Sequence, residues 1–124
     1  MEVQLLFSYP ASKKNNKQIS AGKIRSSEDY RTWHSMAKIE YQKQMRDNPT
    51  WKLYFPLTIV DELHLELIYA DKIHRDTDNA LTSIQDFLKD VGVIKEDHWM
   101  VIRRTVLEPR AGDRTAVVVT LKFA

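Results

Sequence analysis

Residues 74–99 read HRDTDNALTSIQDFLKDVGVIKEDHW, a stretch in which acidic residues stand on both sides of a predicted helix. Apolar side chains recur in it at spacings of three and four, which is typical of one buried helical face. Thr77 or Asp78 is the predicted N-cap, and Gly92 is suited to ending the helix. We therefore predict a helix over about residues 79–91. The residues of its apolar face are Leu81, Ile84, Leu88 and Val91.

Two patterned segments precede this helix. Apolar residues between Ser26 and Asp47 follow helical spacing, and Asn48-Pro49 is expected to end that helix. From Leu57 to Ala70 the pattern alternates instead, which predicts a strand with one buried face. The predicted helical face is Tyr30, Trp33, Ala37, Tyr41 and Met45, and the predicted strand face is Leu57, Ile59, Leu63, Leu65, Leu67 and Tyr69.

Strands are predicted at both ends of the chain. Glu2–Phe7 is a short apolar strand, residues 99–107 form another, and residues 115–123 form a third after a turn at Glu108–Arg114. The element order is therefore β-α-β-α-β-β. This order predicts an α+β fold in which two helices pack on a small mixed sheet, as a single domain over residues 1–124.

Composition excludes several classes of protein. The hydrophobic fraction of 43% is enough for a real core, and the absence of cysteine removes disulfides, thiolate zinc sites and cysteine nucleophiles. No apolar run approaches the roughly 20 residues of a membrane span. The N-terminus has an acid where a signal peptide needs a base. We therefore expect a soluble, cytoplasmic protein.

Charge is segregated along the chain, although the net charge is only +2. Residues 1–25 carry five bases against one acid, whereas residues 57–71 carry four acids and no Lys or Arg. The basic loop, with Lys13, Lys14 and Lys17, is a candidate for tracking phosphates of a nucleic acid. The alternative is that this loop is simply solvated.

Acidic residues gather at both ends of the helix predicted at 79–91. Asp76 and Asp78 are two positions apart, and in an extended backbone such residues point the same way. The interval before Glu96 and Asp97 holds one helix and a turn, so the chain can return them to the first pair. Carboxylates gathered in this way repel one another unless a hard cation such as Mg²⁺ joins them. A magnesium ion held there can activate water and stabilise a phosphate undergoing displacement.

Cations beside these acids favour a polyanionic substrate. The flanking residues are Lys72, His74, Arg75 and Lys95. Structural alternatives remain, since Asp78 alone can be an N-cap and Asp76 alone a turn residue. An EF-hand loop is excluded because Ala80 and Leu81 stand where it needs other residues. The residues themselves leave open a metal site and a small non-enzymatic interaction module.

The same segment resembles the signature of the RusA family of Holliday junction resolvases. That family carries a D-x-D-N motif opening a helix, a Gly ending it and an acidic pair beyond. Asp76, Asp78, Asn79, Gly92 and the pair at 96–97 match it in residue type and spacing. An Arg directly before the first Asp is also typical, as at position 75, and Tyr9-Pro10-Ala11-Ser12 loosely matches the loop after the family's first strand.

The resemblance implies a homodimer that cuts two strands of a four-way DNA junction symmetrically with Mg²⁺, for which Mn²⁺ is a possible substitute. Asp76, Asp78 and Asp97 would be the essential metal carboxylates, with Glu96 as an auxiliary acid. The implied setting is DNA recombination and repair in a bacterial or phage-infected cell. The predicted DNA-binding residues come from the basic loop and from the bases that flank the acidic motif, and they are Lys13, Lys14, Lys17, Lys72, Arg75 and Lys95.

One position departs from the family pattern. Family members can carry a functionally important Lys one helical turn after the second Asp, and Thr82 occupies that position. Residues 76–88 contain no base, so Lys89, Arg75 or the basic loop would have to compensate. The departure keeps open a junction-binding protein of weakened catalytic activity on the same fold.

Overall fold

The computed structural model describes residues 1–11, 28–71 and 77–124, together with the backbone of 18–20 and 23–25. The predicted order of elements is confirmed, with a short antiparallel ribbon, β2–β3, and a 3-10 helix in addition. The elements are β1 (Glu2–Ser8), β2 (Gln18–Ser20), β3 (Lys23–Arg25), α1 (Glu28–Asp47), the 3-10 helix Pro49–Tyr54, β4 (Glu62–Tyr69), α2 (Thr77–Asp90), β5 (Thr105–Ala111) and β6 (Ala116–Lys122).

Within the described residues, four strands form a mixed sheet in the order β1-β6-β4-β5. β6 runs antiparallel to β1 and β4, whereas β5 runs parallel to β4. β1, β4 and β5 therefore point the same way and end at Ser8, Tyr69 and Ala111 on one side, which we call the carboxyl edge. Because β4 lies between β5 and β6, the connection from β5 to β6 crosses the end of β4 at this edge.

The core lies between the sheet and the two helices, and alternation decides which strand residues enter it. The predicted apolar face of α1 is buried throughout, and so is the face of β6 that carries Val117, Val119 and Leu121. On α2 the fully buried positions include Ile84, Phe87 and Leu88, whereas Leu81 and Val91 are only partly buried. Each large side chain buried in this way contributes about 1.5–3 kcal/mol. The buried residues of β6 and its extension are Ala116, Val117, Val119, Thr120, Leu121 and Phe123.

The strand predicted from Leu57 begins only at Glu62. Before it, the chain makes isolated parallel bridges at Leu57 and Val60, and these two side chains are buried. Ile59 was predicted to face the core but is 50% exposed. The alternation fails here because backbone that pairs at single points need not keep the regular pleat of a strand.

The strand predicted at 99–107 also lies elsewhere. A turn forms at its start, where the N–H groups of Val101 and Ile102 both donate to His98 O at 3.0 Å. β5 instead extends through Pro109, inside the predicted turn. Leu63 N donates to Arg104 O, and Gly112 N donates to Tyr69 O, so the even-numbered residues along β5 direct their backbone groups toward β4. The odd-numbered residues, Pro109 among them, direct theirs away from the sheet. Proline is tolerated at such a position of an edge strand, because the N–H that its ring removes would have no partner in the sheet.

The outer edge of β1 is sealed by side chains of α1. Gln44 accepts a hydrogen bond from Leu6 N at 2.7 Å and donates one to Leu6 O at 2.8 Å. Ser8 N donates to the Glu40 carboxylate at 3.2 Å, and Trp33 Nε1 donates to Ser8 O at 2.8 Å. Unpaired strand edges invite association with other strands, and α1 removes that possibility here.

Gly92 ends α2, as predicted. Its φ is +82°, and Gly92 N donates to Lys89 O at 3.1 Å while Val93 N donates to Leu88 O at 2.8 Å. These are the two bonds of a Schellman motif, which satisfies the last carbonyls of a helix. The turn sends the chain back along the sheet, where Leu57 N donates to Val93 O and Lys95 N donates to Leu57 O.

The three tryptophans have different environments. Trp33 is 4% exposed, Trp51 packs partly against the core, and Trp99 is 75% exposed. Among the described segments, no helix is both long enough and apolar enough to cross a membrane.

Replacing Gly92 by Ala should lower the free energy of unfolding by about 1 kcal/mol, because an L side chain at positive φ is strained. Nothing lies within 4 Å of a Cβ built there, so the loss would report backbone strain and not a clash. Urea denaturation measures it, with Gly92→Asn as the matched control. Asparagine tolerates this conformation, so it should lose less than alanine; equal losses would contradict the strain argument.

Candidate nuclease site

Asp78 lies in the first turn of α2, at the carboxyl edge of the sheet. It was predicted as a possible N-cap, but Thr77 and Asp78 are both inside the helix. Asp78 is exposed, and its carboxylate lies at the positive end of the helix dipole. Asp76, the other carboxylate of the motif, lies outside the described residues.

Polar contacts fix the N-terminal half of α2 against the end of β1. The buried Ser83 hydroxyl donates to Ala11 O at 3.0 Å, just beyond the end of β1. The hydroxyls of Tyr9 and Tyr69 lie 2.9 Å apart and their rings 5.4 Å apart, which joins the ends of β1 and β4. Ser83 thus attaches the helix that carries Asp78 to the end of β1, and that strand end is joined in turn to the end of β4.

The connection from β5 to β6 adds a third segment to this edge. Gly112 N donates to Tyr69 O at 3.0 Å, and Thr115 Oγ1 accepts a hydrogen bond from Ala70 N at 3.1 Å. These two bonds hold residues 112–115 across the end of β4. Arg114 lies between them and is exposed.

Glu96 and Asp97 lie beside the other end of α2. Glu96 Oε2 is 3.2 Å from Lys89 Nζ, in the last turn of the helix. The hydrogen bond to Glu96, helped by the charges of Glu96, Asp97 and Asp86, raises the pKa of Lys89. Both acids are only partly exposed, so this end of α2 carries a compact acidic pair held by one lysine.

The two acidic groups are therefore far apart within one chain. Asp78 and Lys89 are separated by eleven residues of α2, or roughly 16 Å along the helix axis. Among residues 1–11, 28–71 and 77–124, no three His, Asp or Glu side chains are placed to hold one metal ion. Since Asp76 is outside these ranges, the predicted site of Asp76, Asp78, Glu96 and Asp97 stays a prediction.

The predicted DNA-binding bases fall largely outside the described residues. This applies to Lys13, Lys14, Lys17, Lys72 and Arg75. Lys95 is described and exposed, next to the acidic pair at 96–97. At the position of the family lysine, the Thr82 hydroxyl donates to Asp78 O at 3.0 Å within the helix. Lys89 pairs with Glu96 and so does not replace that lysine at the Asp78 end of its own helix.

The described acids fit magnesium in chemical type. Asp78, Glu96 and Asp97 offer carboxylate oxygens, which this hard cation prefers, and Asp76 would add another. They fit less well in position, because one chain places Asp78 and the 96–97 pair at opposite ends of α2. The donor set is therefore suited to Mg²⁺ only if something brings the two ends together.

A second polar cluster, between α1 and α2, serves packing. His34 Nε2 lies 3.1 Å from Asp90 Oδ2, and its ring lies 5.2 Å from that of Phe87. Burial, together with the charges of Asp86 and Asp90, raises the pKa of Tyr30 to about 12. These contacts join α1 to α2, so His34 and Tyr30 lie at the contact between the two helices.

Several residues of the carboxyl edge escape sequence reasoning. Tyr69, Ser83 and Arg114 carry no motif, and each resembles an ordinary strand, helix or turn residue in the sequence, while Tyr9 enters only a loose match to the family's first loop. For Tyr9, Tyr69 and Arg114 the one available signal is position, since each stands at or near the end of a strand, whereas Ser83 lies in the middle of α2 and gives no such signal. That signal becomes informative only when β4 and β5 are known to be parallel, because only then do these ends meet.

A protein-family model described as Endodeoxyribonuclease RusA matches residues 8–122. The match runs from the end of β1 to the end of β6 and includes the acidic positions 76, 78, 96 and 97. No individual curated protein matches the chain. The mixed sheet with two helices agrees with the resemblance seen in the acidic motif. The chain belongs to the RusA family of endodeoxyribonucleases.

Proposed function

We propose that this protein is a Mg²⁺-dependent endodeoxyribonuclease that resolves Holliday junctions and related branched DNA in recombination and repair. The observation that carries this proposal is the family match over residues 8–122, which contains the D-x-D-N motif and the later acidic pair in family spacing. The fold supports it, because Asp78 stands exposed at a helix N-terminus, a position suited to phosphate.

Asp76, Asp78 and Asp97 would hold the ion, with Glu96 as a further oxygen donor. A bound magnesium ion supplies charge stabilisation for the phosphate and lowers the pKa of a water that attacks it. The protein's own contribution is position: α2 presents Asp78 at the carboxyl edge, and its first turn directs N–H groups toward an incoming phosphodiester. Ser83 and the Tyr9–Tyr69 pair keep that turn from shifting.

We further propose that two copies of the chain build each metal site. One chain keeps Asp78 roughly 16 Å along the helix from Lys89, the residue beside which Glu96 lies. Two copies packed side by side in opposite directions would bring the acidic pair of each chain to Asp78 of the other. A twofold axis then produces two equal sites, which suits paired cuts in a junction of similar symmetry.

Exposed apolar residues beside the acidic pair support a second copy at this place. Trp99 is 75% exposed and Met100 is 55% exposed, and both follow Asp97 in the chain after His98. Ile59, near the bridge between Val60 and Ile102, is 50% exposed. Large aromatic and methionine side chains are enriched at protein interfaces, and contact with a partner would remove them from water.

A second candidate function is junction binding with weakened catalysis. Thr82 favours it, because the hydroxyl at the family's lysine position bonds to its own helix and brings no positive charge. Salt-sensitive junction binding without cleavage in either Mg²⁺ or Mn²⁺ would select this function. A protein with neither binding nor cleavage would instead be an interaction module whose acids are surface charges.

Cleavage of a synthetic four-way junction in Mg²⁺ tests the main proposal. Wild type should cut the junction. Asp76→Asn and Asp78→Asn should each lower the cleavage rate by on the order of 100-fold or more, because each removes a carboxylate that supports the stabilisation of charge in the transition state. Asp47→Asn is the matched control, since Asp47 is an exposed aspartate at the far end of α1. Wild-type inactivity in both metals would contradict the nuclease, and full activity of the Asp76 and Asp78 variants would contradict the site.

Mixing inactive variants tests whether two chains share each site. A mixed dimer of Asp78→Asn and Asp97→Asn would have one site with both substitutions and one with both native carboxylates. After subunit exchange, roughly a quarter of all sites should be active, because about half of the dimers are mixed and each mixed dimer has one intact site. Cleavage should therefore return mainly as nicks in one strand. Asp76→Asn mixed with Asp78→Asn is the control and should stay inactive. If the first mixture also stays inactive, each site lies within one chain.

A further inference from the structure

We propose that Arg114 binds a backbone phosphate of the DNA at the carboxyl edge and thereby positions the substrate beside Asp78. This inference rests on the proposed function, and it adds a binding residue outside the acidic motif and the basic loop. Arginine suits this role because its planar guanidinium stays charged and can donate two hydrogen bonds to one phosphate.

The loop that carries Arg114 has a defined position. It is held on both sides, by the bond from Gly112 N to Tyr69 O and by the bond from Ala70 N to Thr115 Oγ1. Gly112 permits this close approach, since a Cβ at this position would lie 2.4 Å from Cγ2 of Ile68. Arg114 is therefore presented from a fixed point above the end of β4.

Hydrogen bonds connect this loop to the helix that bears Asp78. Tyr69, which accepts the bond from Gly112, pairs through its hydroxyl with Tyr9 at 2.9 Å. Two residues after Tyr9, Ala11 O accepts the bond from Ser83 of α2. The loop, both strand ends and the first half of α2 thus form one connected unit. Binding groups held in this way lose little freedom when a ligand binds.

The charge of Arg114 is available to a ligand. On the neighbouring strands, Arg110 pairs with Glu66, and Glu62 pairs with Arg104 at 3.5 Å and with Lys122 at 3.3 Å. Within the described part of the chain, Arg114 makes no hydrogen bond or ion pair and its side chain is exposed. An exposed arginine at the carboxyl edge, in the unit that also holds the first half of α2, can therefore supply one positively charged contact to a phosphate there.

Binding of an immobile four-way junction, measured in EDTA across a range of salt concentrations, tests this inference. Arg114→Ala should bind roughly tenfold more weakly, as expected for losing a charged hydrogen bond. The slope of log K against log salt should fall by about one, as expected for losing one phosphate contact. Arg114→Lys should restore most of the slope, because a point charge still neutralises the phosphate.

Two further variants separate charge from loop position. Arg46→Ala removes another exposed arginine, in the last turn of α1 and outside the β5–β6 connection, and should leave affinity and slope unchanged. Thr115→Val keeps Arg114 but removes the bond from Ala70 N, so it should weaken binding less than Arg114→Ala and keep the slope. Thermal unfolding of Arg114→Ala should match wild type.

The outcomes distinguish this inference from the function on which it rests. If wild type binds the junction and Arg114→Ala binds with the same affinity and slope, Arg114 is not a phosphate contact, while the proposed nuclease is unaffected. A loss equal to that of Arg46→Ala would likewise overturn the inference, because it would reflect net charge alone. If wild type fails to bind the junction, the proposed function fails and this inference fails with it.

Discussion

The fixed length of α2 determines where this chain can place its acidic groups. A straight helix of fourteen residues holds its ends roughly 20 Å apart. Ile84, Phe87 and Leu88 bury one side of it in the core. Ser83 attaches the first half of this helix to Ala11, and after the turn at Gly92 the chain forms a parallel β-bridge with Leu57. Asp78 and the 96–97 pair are therefore held at opposite ends.

This separation has an energetic advantage in the proposed dimer. Four carboxylates gathered in one chain would repel one another, and that repulsion would destabilise the free protein. Dividing them between two chains leaves each group compatible with the folded monomer, and Lys89 already balances Glu96. The full negative cluster would then form only where a second chain and a cation are both present. Assembly, metal binding and catalytic competence would be linked.

The parts of the fold that follow from burial could be predicted from the sequence. The apolar faces of α1 and β6 lie in the core because spacing alone assigns them to one side of a helix or strand. β5 could not be predicted in the same way. Val101 and Ile102 are buried in a turn and a single bridge, which have no period, and Pro109 is tolerated only because β5 lies at an edge. Parallel pairing with β4 joins distant residues and leaves no local signal.

The same limit applies to the candidate site. The D-x-D-N motif and the acidic pair could be found in the sequence because their spacing is regular, and residue type favoured Mg²⁺. That spacing suggested that the carboxylates converge within one chain. It did not reveal that residues 93–95 pair with Leu57 and that Glu96 pairs with Lys89. A role for Arg114 could be proposed only from the strand order, because that order makes the connection from β5 to β6 cross the end of β4.

Crystals of this protein soaked with Mn²⁺ would show whether two chains share each metal site, because anomalous scattering locates this ion. We expect Mn²⁺ bound between Asp76 and Asp78 of one chain and Asp97 of its partner, in two sites related by a twofold axis. Mn²⁺ held by Asp76, Asp78 and Asp97 of the same chain would contradict the shared site. A structure in which Mn²⁺ binds none of these carboxylates would contradict the metal-dependent nuclease itself.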